Sequence, residues 1–279
     1  MLGFIHHRNT GSDRVVVHEL EADGSRFLLS EQSGIFVSDA PNFIFDFVPR
    51  INGNHDLCAI KVRNTDSGNV EVHVLSRNSG YRDFTLHATT PISLSDAPNF
   101  EFVMGKSNGE LIGIKRRNTA SGRVEVHLVS HLSGYRDFIL HAVTPLELVD
   151  ILNFDFGGAI LDRAVFIKRD NTGTRHVEVH ILTSGGTRWD FQQHTGMSLP
   201  SVVGHTLLLA PFPVEVVSLT NGPTASGFVE IVQQRPVPVS TFPAPPPRPR
   251  PTVFSANRIE DVVFKMIGTP LTAGGGGGF

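Results

Sequence analysis

Val70-Glu71-Val72-His73-Val74-Leu75 is the stretch that decides the fold, because it comes back. Its centre, Glu71-Val72-His73, returns as Glu125-Val126-His127 and Glu178-Val179-His180. Val16-Val17-His18 precedes these copies and Glu230-Ile231-Val232 closes the series. The third residues of the five copies lie 55, 54, 53 and 52 positions apart. A near-constant period of this length marks a repeat architecture, in which each unit buries its apolar surface on its neighbours.

The unit is clearest around the second copy. Asp56 to Lys61 is a short apolar run and Arg63 to Gly68 a polar turn. Val70 to Leu75 alternates with period two, the pattern of a half-buried strand. Asn78-Ser79-Gly80 forms another turn, followed by a third strand from Asp83 to His87. Asp96-Ala97-Pro98-Asn99 then leads into a short fourth strand, Phe100-Glu101-Phe102. The third copy, Leu111 to Phe156, repeats nearly every feature. The fourth, Ala164 to about Leu209, is looser, and the fifth, around Val214 to Val232, is the most eroded. No window of useful length carries a helical period. Four short strands in a unit of about 50 residues make one propeller blade.

The expected fold is therefore all-β: a five-bladed β-propeller of four-stranded blades. Residues 1–232 hold the repeats, at about 4–48, 49–103, 104–157, 158–209 and 210–232. Ile5 to Thr10 aligns with Ile60 to Thr65, so the chain starts partway into a blade. Glu260 to Lys265 resembles His55 to Lys61, so residues 252–270 are expected to supply a closing strand for blade one. Closure would remove two exposed sheet edges at once. Residues 233–251 are proline-rich and read as an extended strap; residues 271–279 read as a flexible glycine-rich tail.

Net charge is −3 and the basic residues form no run, so nucleic acid is not an expected partner. No apolar stretch is long enough to span a membrane, and no signal peptide is visible. The single cysteine, Cys58, lies mid-strand and reads as a buried apolar residue. Twenty Phe against two Tyr and one Trp suit sheets packed face to face.

The series Asp56 to Lys61, Asn64-Thr65, Ser67-Gly68, Val70 to Ser76, Ser79-Gly80-Tyr81 and Phe84 to His87 resembles the FG-GAP/VCBS-like repeats of bacterial and fungal extracellular proteins. In those repeats, too, a Val-Glu-Val-His-Val-Leu-Ser strand follows an Ile-Lys strand. The resemblance covers repeats two to four well and one and five weakly. It implies β-propeller blades, an extracellular setting, and lectin-like or attachment modules. It also implies a calcium loop ahead of the Ile-Lys strand. Here that loop reads Arg50 to Asp56, and Lys106 to Glu110, without the leading carboxylates calcium needs. No cofactor is expected.

Two constellations recur. Lys61, Lys115 and Lys168 each precede Glu71, Glu125 and Glu178 by ten positions, which places them opposite across a hairpin. His73 and His87, His127 and His141, and His180 and His194 are each 14 apart and are expected to face one another likewise. Two His and a Glu can bind zinc, but threefold repetition and the nearby lysine favour a hydrogen-bonded polar layer. The second set is Tyr81-Arg82-Asp83, Tyr135-Arg136-Asp137 and Arg188-Trp189-Asp190, at one repeat position ahead of Phe84, Phe138 and Phe191. A ring beside an Arg and an Asp can stack on a sugar and bond its hydroxyls. Packing of the ring over its own hairpin is the alternative. The expected function is a non-enzymatic, multivalent carbohydrate-binding module acting on a glycan or glycoprotein surface. The alternatives are a scaffold for a protein partner and, behind it, a diverged propeller enzyme.

Overall fold

The computed structural model describes residues 2–20, 27–49, 55–105, 109–160, 163–183, 185–210, 215–220, 229–234, 237–238, 252–254 and 262–266. The Gly-rich tail, most of the proline-rich strap and the calcium-loop positions 50–54 and 106–108 lie outside the described residues. The chain is all-β, a propeller-like arrangement of antiparallel sheets.

Among the described residues the strands form five sheets. The first holds β1 (Leu2–His6), β2 (Arg14–Leu20) and β3 (Phe27–Phe36). The second is β4 (Phe43–Pro49), β5 (His55–Lys61), β6 (Asn69–Leu75) and β7 (Phe84–Ser93). The third is β8 (Phe100–Met104), β9 (Leu111–Lys115), β10 (Arg123–Val129) and β11 (Phe138–Glu147). In the fourth, β12 (Phe154–Ile160), β13 (Arg163–Lys168), β14 (His176–Leu182) and β15 (Trp189–Ser198) stand in order. The fifth has β16 (His205–Ala210), β17 (Glu215–Thr220) and β18 (Val229–Gln234).

The remaining strands attach to these sheets. β19 (Val237–Pro238) adds to the outer edge of β15, and β20 (Thr252–Phe254) is the outer strand of the fifth sheet. β21 (Val262–Met266) pairs antiparallel with β1, with Phe264 opposite Phe4. The first strands of successive sheets touch in a circuit: β4 with β8, β8 with β12, β12 with β16, β16 with β21, and β21 with β4. Four regular blades are recognised in this arrangement, against the five expected.

The sheets are offset from the sequence repeat. Phe100–Met104 does not end the second sheet; it pairs with β9 and opens the third. The cause is the turn before it. Asp96-Ala97-Pro98-Asn99 tightens into one 3-10 turn, with Pro98 fixing φ and the Asn99 side-chain amide donating to Asp96 Oδ1 at 2.7 Å. The chain thereby leaves the outer edge of one sheet for the inner edge of the next. Asp39 with Asn42, and Asp150 with Asn153, build the same turn before Phe43 and Phe154. β21 likewise takes the place β4 holds in its own sheet, one strand earlier than its likeness to His55–Lys61 suggests.

β6 and β10 are buried along nearly their whole length, although their alternation reads as half-buried. These two inner strands are covered on both faces, so even the polar side of their alternation is enclosed. The apolar cores lie between sheets. Val72 and Ile92 pack with Met104, Leu111 and Val129, and Ile112 and Leu128 pack with Phe154, Phe166 and Leu182. Cys58 belongs to the first of these cores. At the hairpin turns Asn9, Asn64, Asn118 and Asn171 all take φ near +50°, a left-handed conformation that asparagine tolerates.

Candidate functional site

The recurrent polar residues form a column on each of the second to fourth sheets. Lys61, Lys115 and Lys168 stand opposite Glu71, Glu125 and Glu178 in the strand register. The lysines, however, turn to the aspartates of the 3-10 turns: Lys61 to Asp39 at 3.8 Å, Lys115 to Asp96 at 2.8 Å, and Lys168 to Asp150 at 3.6 Å. Each ammonium also lies over the ring of Phe43, Phe100 or Phe154.

The glutamates are left to other partners. Ser67 donates to Glu71 Oε1 at 2.7 Å, Ser121 to Glu125 Oε1 at 3.0 Å, and Thr174 to Glu178 Oε1 at 2.7 Å. That hydroxyl fixes the carboxylate and aims Oε2 at the histidines. In the second sheet Nε2 of both His73 and His87 lies 3.3 Å from Glu71 Oε2. In the third, His127 Nε2 is at 3.4 Å and His141 Nε2 at 3.1 Å from Glu125 Oε2. The paired imidazole centroids lie 4.1 Å apart in both sheets, stacked in the third and tilted by 50° in the second. His73 and His127 are buried, whereas His87 and His141 are open to solvent.

The fourth sheet departs from this pattern. His180 Nε2 bonds Glu178 Oε2 at 2.9 Å, but His194 bonds the Thr195 carbonyl instead. His194 falls opposite Glu178, and Gln192 stands opposite His180. The hairpin partners Leu75 and Phe84, like Val129 and Phe138, are nine positions apart; Leu182 and Trp189 are seven apart. Equal sequence spacing thus gives unequal placement, and the expected third His pair does not form.

Burial holds His73, His127 and His180 below the ordinary histidine range. The charge of the second imidazole adds to this in the first two, and the partner glutamate opposes it only in part. Burial pushes Glu71 and Glu125 upward, but their serine and histidine bonds outweigh it and leave both below the usual carboxylate range.

A cavity of about 530 Å³ opens beside the third-sheet column. Phe100, Phe138, His127 and His141 line one side; Pro91, Ser93 and Asp96, from the outer edge of the second sheet and its turn, line the other. Phe138 is 44 % exposed there. Phe100 and Phe138, both edge-on to His127, line the cavity together with a hydroxyl and a carboxylate and make an amphipathic groove between two sheets.

The Tyr/Trp set is placed differently from the sugar-platform expectation. Tyr81 and Tyr135 are buried, at 0 % and 3 % exposure, so neither ring can receive a ligand. Gly80 and Tyr81 take φ of 64° and 60°, and Gly134 and Tyr135 take 64° and 62°. Two successive left-handed residues turn the tyrosine inward, between its own sheet and the preceding one. The Tyr81 hydroxyl donates to Glu19 of the first sheet at 2.5 Å. Arg77 grips the same carboxylate from Nε and Nη2, at 2.7 and 2.8 Å. Burial raises Glu19, but these bonds prevail and hold it below the ordinary glutamate value. Tyr135 instead donates to the Gly109 carbonyl at 2.8 Å.

Trp189 is half-buried, stacked on Phe154 and edge-on to Phe166 and His180. Arg82, Asp83, Arg136, Asp137, Arg188 and Asp190 are exposed, and where these groups pair, they reach other elements. Arg82 approaches Glu31 of the first sheet at 3.9 Å, and Asp190 pairs with Arg163. The Tyr81 loop also presses on the first sheet. A Cβ added to Gly34 would lie 2.4 Å from the Arg82 carbonyl oxygen.

Sequence reading missed Glu19 and Arg77. A signal for Glu19 was present: the equivalent positions in the next three repeats are Val74, Leu128 and Ile181, so a carboxylate breaks an otherwise apolar position.

No family model matches the chain, and no curated protein matches it. Among solved structures, the crystal structure of Porphyromonas gingivalis dipeptidyl peptidase 4 is similar over 79 % of this chain and 28 % of that chain, at 8 % identity and a TM-score of 0.30. Among the described residues no helix is long and apolar enough to cross a membrane.

Proposed function

We propose that the chain is a non-enzymatic binding scaffold: a five-bladed ring of FG-GAP/VCBS-like repeats that takes carbohydrate in the groove between adjacent blades. The observation that carries this reading is the cavity between the second and third sheets, with its wall of Phe100, Phe138 and two imidazoles facing Ser93 and Asp96. Pyranose rings present an apolar face edged by hydroxyls, and aromatic faces with convergent polar groups suit them. The circuit of inner-strand contacts and the β1–β21 pairing support counting all five sheets as blades. Phe84 and Phe27 stand at the matching position in the second and first sheets, both 49 % exposed, which supports more than one groove of this kind. Repeated weak sites on a rigid ring gain by avidity on a surface carrying many copies of the ligand.

A protein-interaction scaffold is the second reading. It is favoured by Ile139 and Val143 of β11, which stand 56 % and 42 % exposed on an outer strand. A glycan array separates the two. Phe138→Ala lies at an exposed position and is expected to fold normally while losing about tenfold in apparent affinity, worth ~1.4 kcal/mol. Binding to no glycan, together with retention of a protein partner through β11, would favour the second reading.

A further inference from the structure

The two complete columns have a geometry that their hydrogen bonding alone does not require. In each, three ligand atoms (one carboxylate oxygen and two Nε2 atoms) lie within 4.8 Å of one another. The glutamate oxygen stands 3.1 to 3.4 Å from each imidazole nitrogen. Zinc bonds nitrogen and oxygen at about 2.0–2.2 Å, so the edge of its tetrahedron is roughly 3.4 Å. The observed separations match that edge. In the third sheet His127 is 8 % exposed and its Nε2 makes no hydrogen bond, despite lying beside Glu125. At 3.4 Å from Glu125 Oε2 but outside hydrogen-bonding geometry, that nitrogen is a buried polar atom without a partner.

We propose that Glu71-His73-His87 and Glu125-His127-His141 are two metal sites, each taking one zinc-class divalent ion through Oε2 and two Nε2 atoms. Ser67 and Ser121 orient the carboxylates from the far oxygen, the outer-shell role that holds a ligand in place. The lysine that opposes a cation is engaged in each case by an aspartate, most closely Lys115 by Asp96. Three protein ligands leave a fourth position open. In the third sheet two of the three ligands, His127 and His141, line the groove, from which an exchangeable water would complete the shell. The fourth sheet provides an internal control, because its shorter hairpin withdraws His194 and leaves only His180 and Glu178.

The probe is zinc chloride, added to chelator-stripped full-length protein and read by calorimetry and by elemental analysis after gel filtration. Two ions per chain are expected, with a rise in melting temperature. His87→Ala and His141→Ala remove exposed side chains and are expected to leave the unliganded fold intact. Each is predicted to lower the stoichiometry from two to one, and together to none, whereas His194→Ala keeps two. No saturable binding, or any stoichiometry that survives the double change, overturns the proposal. Phe138 packs edge-on against His127, whereas Glu71, His73 and His87 line no part of the groove, so zinc binding at the second-sheet site stands or fails independently of glycan binding.

Discussion

Replacing Tyr81 by Phe removes a single oxygen from the junction between the first and second sheets. That oxygen donates to Glu19, a carboxylate only 1 % exposed, which also holds Arg77 through both oxygens. A hydrogen bond to a charged group contributes about 1.5–3 kcal/mol. Arg77 stays, so Glu19 is not stranded, and the lower half of that range applies. For a domain of this size each kcal/mol moves the melting temperature by roughly 2–4 °C, so a drop of about 3–9 °C is expected. Tyr135→Phe is the matched comparison. Its hydroxyl meets an uncharged carbonyl, that of Gly109, and the same reasoning gives about 0.5–1.5 kcal/mol. Calorimetry of the two variants beside the parent decides it. Tyr81→Phe must cost more than Tyr135→Phe, and neither is expected to change ligand binding. An unchanged melting temperature for Tyr81→Phe, or the reverse order, would refute the argument that this tyrosine joins two sheets through a buried charge.

Acid is expected to weaken the fold in two stages. His18 is driven down to about 4, chiefly by burial, and His73, His127 and His180 also lie below 6.5. Their unfolded forms take up protons first, so stability is full above about pH 6.5 and falls as pH drops toward 4. Glu19, Glu71 and Glu125, held below their unfolded value of 4.5, continue the loss under more acid conditions. Melting temperature measured across pH 8 to 3 checks the slope, and a flat profile between pH 6.5 and 4.5 would contradict it. Deleting residues 252–279 removes β20 and β21 and exposes the edges of β1 and β18; the truncated chain is expected to melt lower and to aggregate. An unchanged melting temperature would show that these strands do not hold the first and fifth sheets.

The repeat period was enough to specify antiparallel sheets, because Glu-Val-His strands between Asn-containing turns have one sensible pairing. It did not show where one sheet ends. That depends on the Asp-Ala-Pro-Asn turn carrying the chain across, and a sequence repeat has no natural starting point. The Lys–Glu register and two of the three His pairs were legible from spacing. The third was not, since a hairpin shorter by two residues moves His194 along the ladder without changing its distance from His180. The tyrosines misled for another reason. Their position in a polar Gly-Tyr-Arg-Asp loop suggests exposure, and only the two consecutive left-handed residues turn the ring inward. The groove wall of Phe100 and Phe138 was hidden because its two sides come from different repeats.

The most direct measurement is a glycan array probed with the parent protein, Phe138→Ala and Tyr81→Phe under identical conditions. The parent is predicted to bind a restricted set of glycans, Phe138→Ala to lose most of that signal, and Tyr81→Phe to keep it. A parent that binds no glycan, or a signal indifferent to Phe138, would contradict the carbohydrate-binding groove.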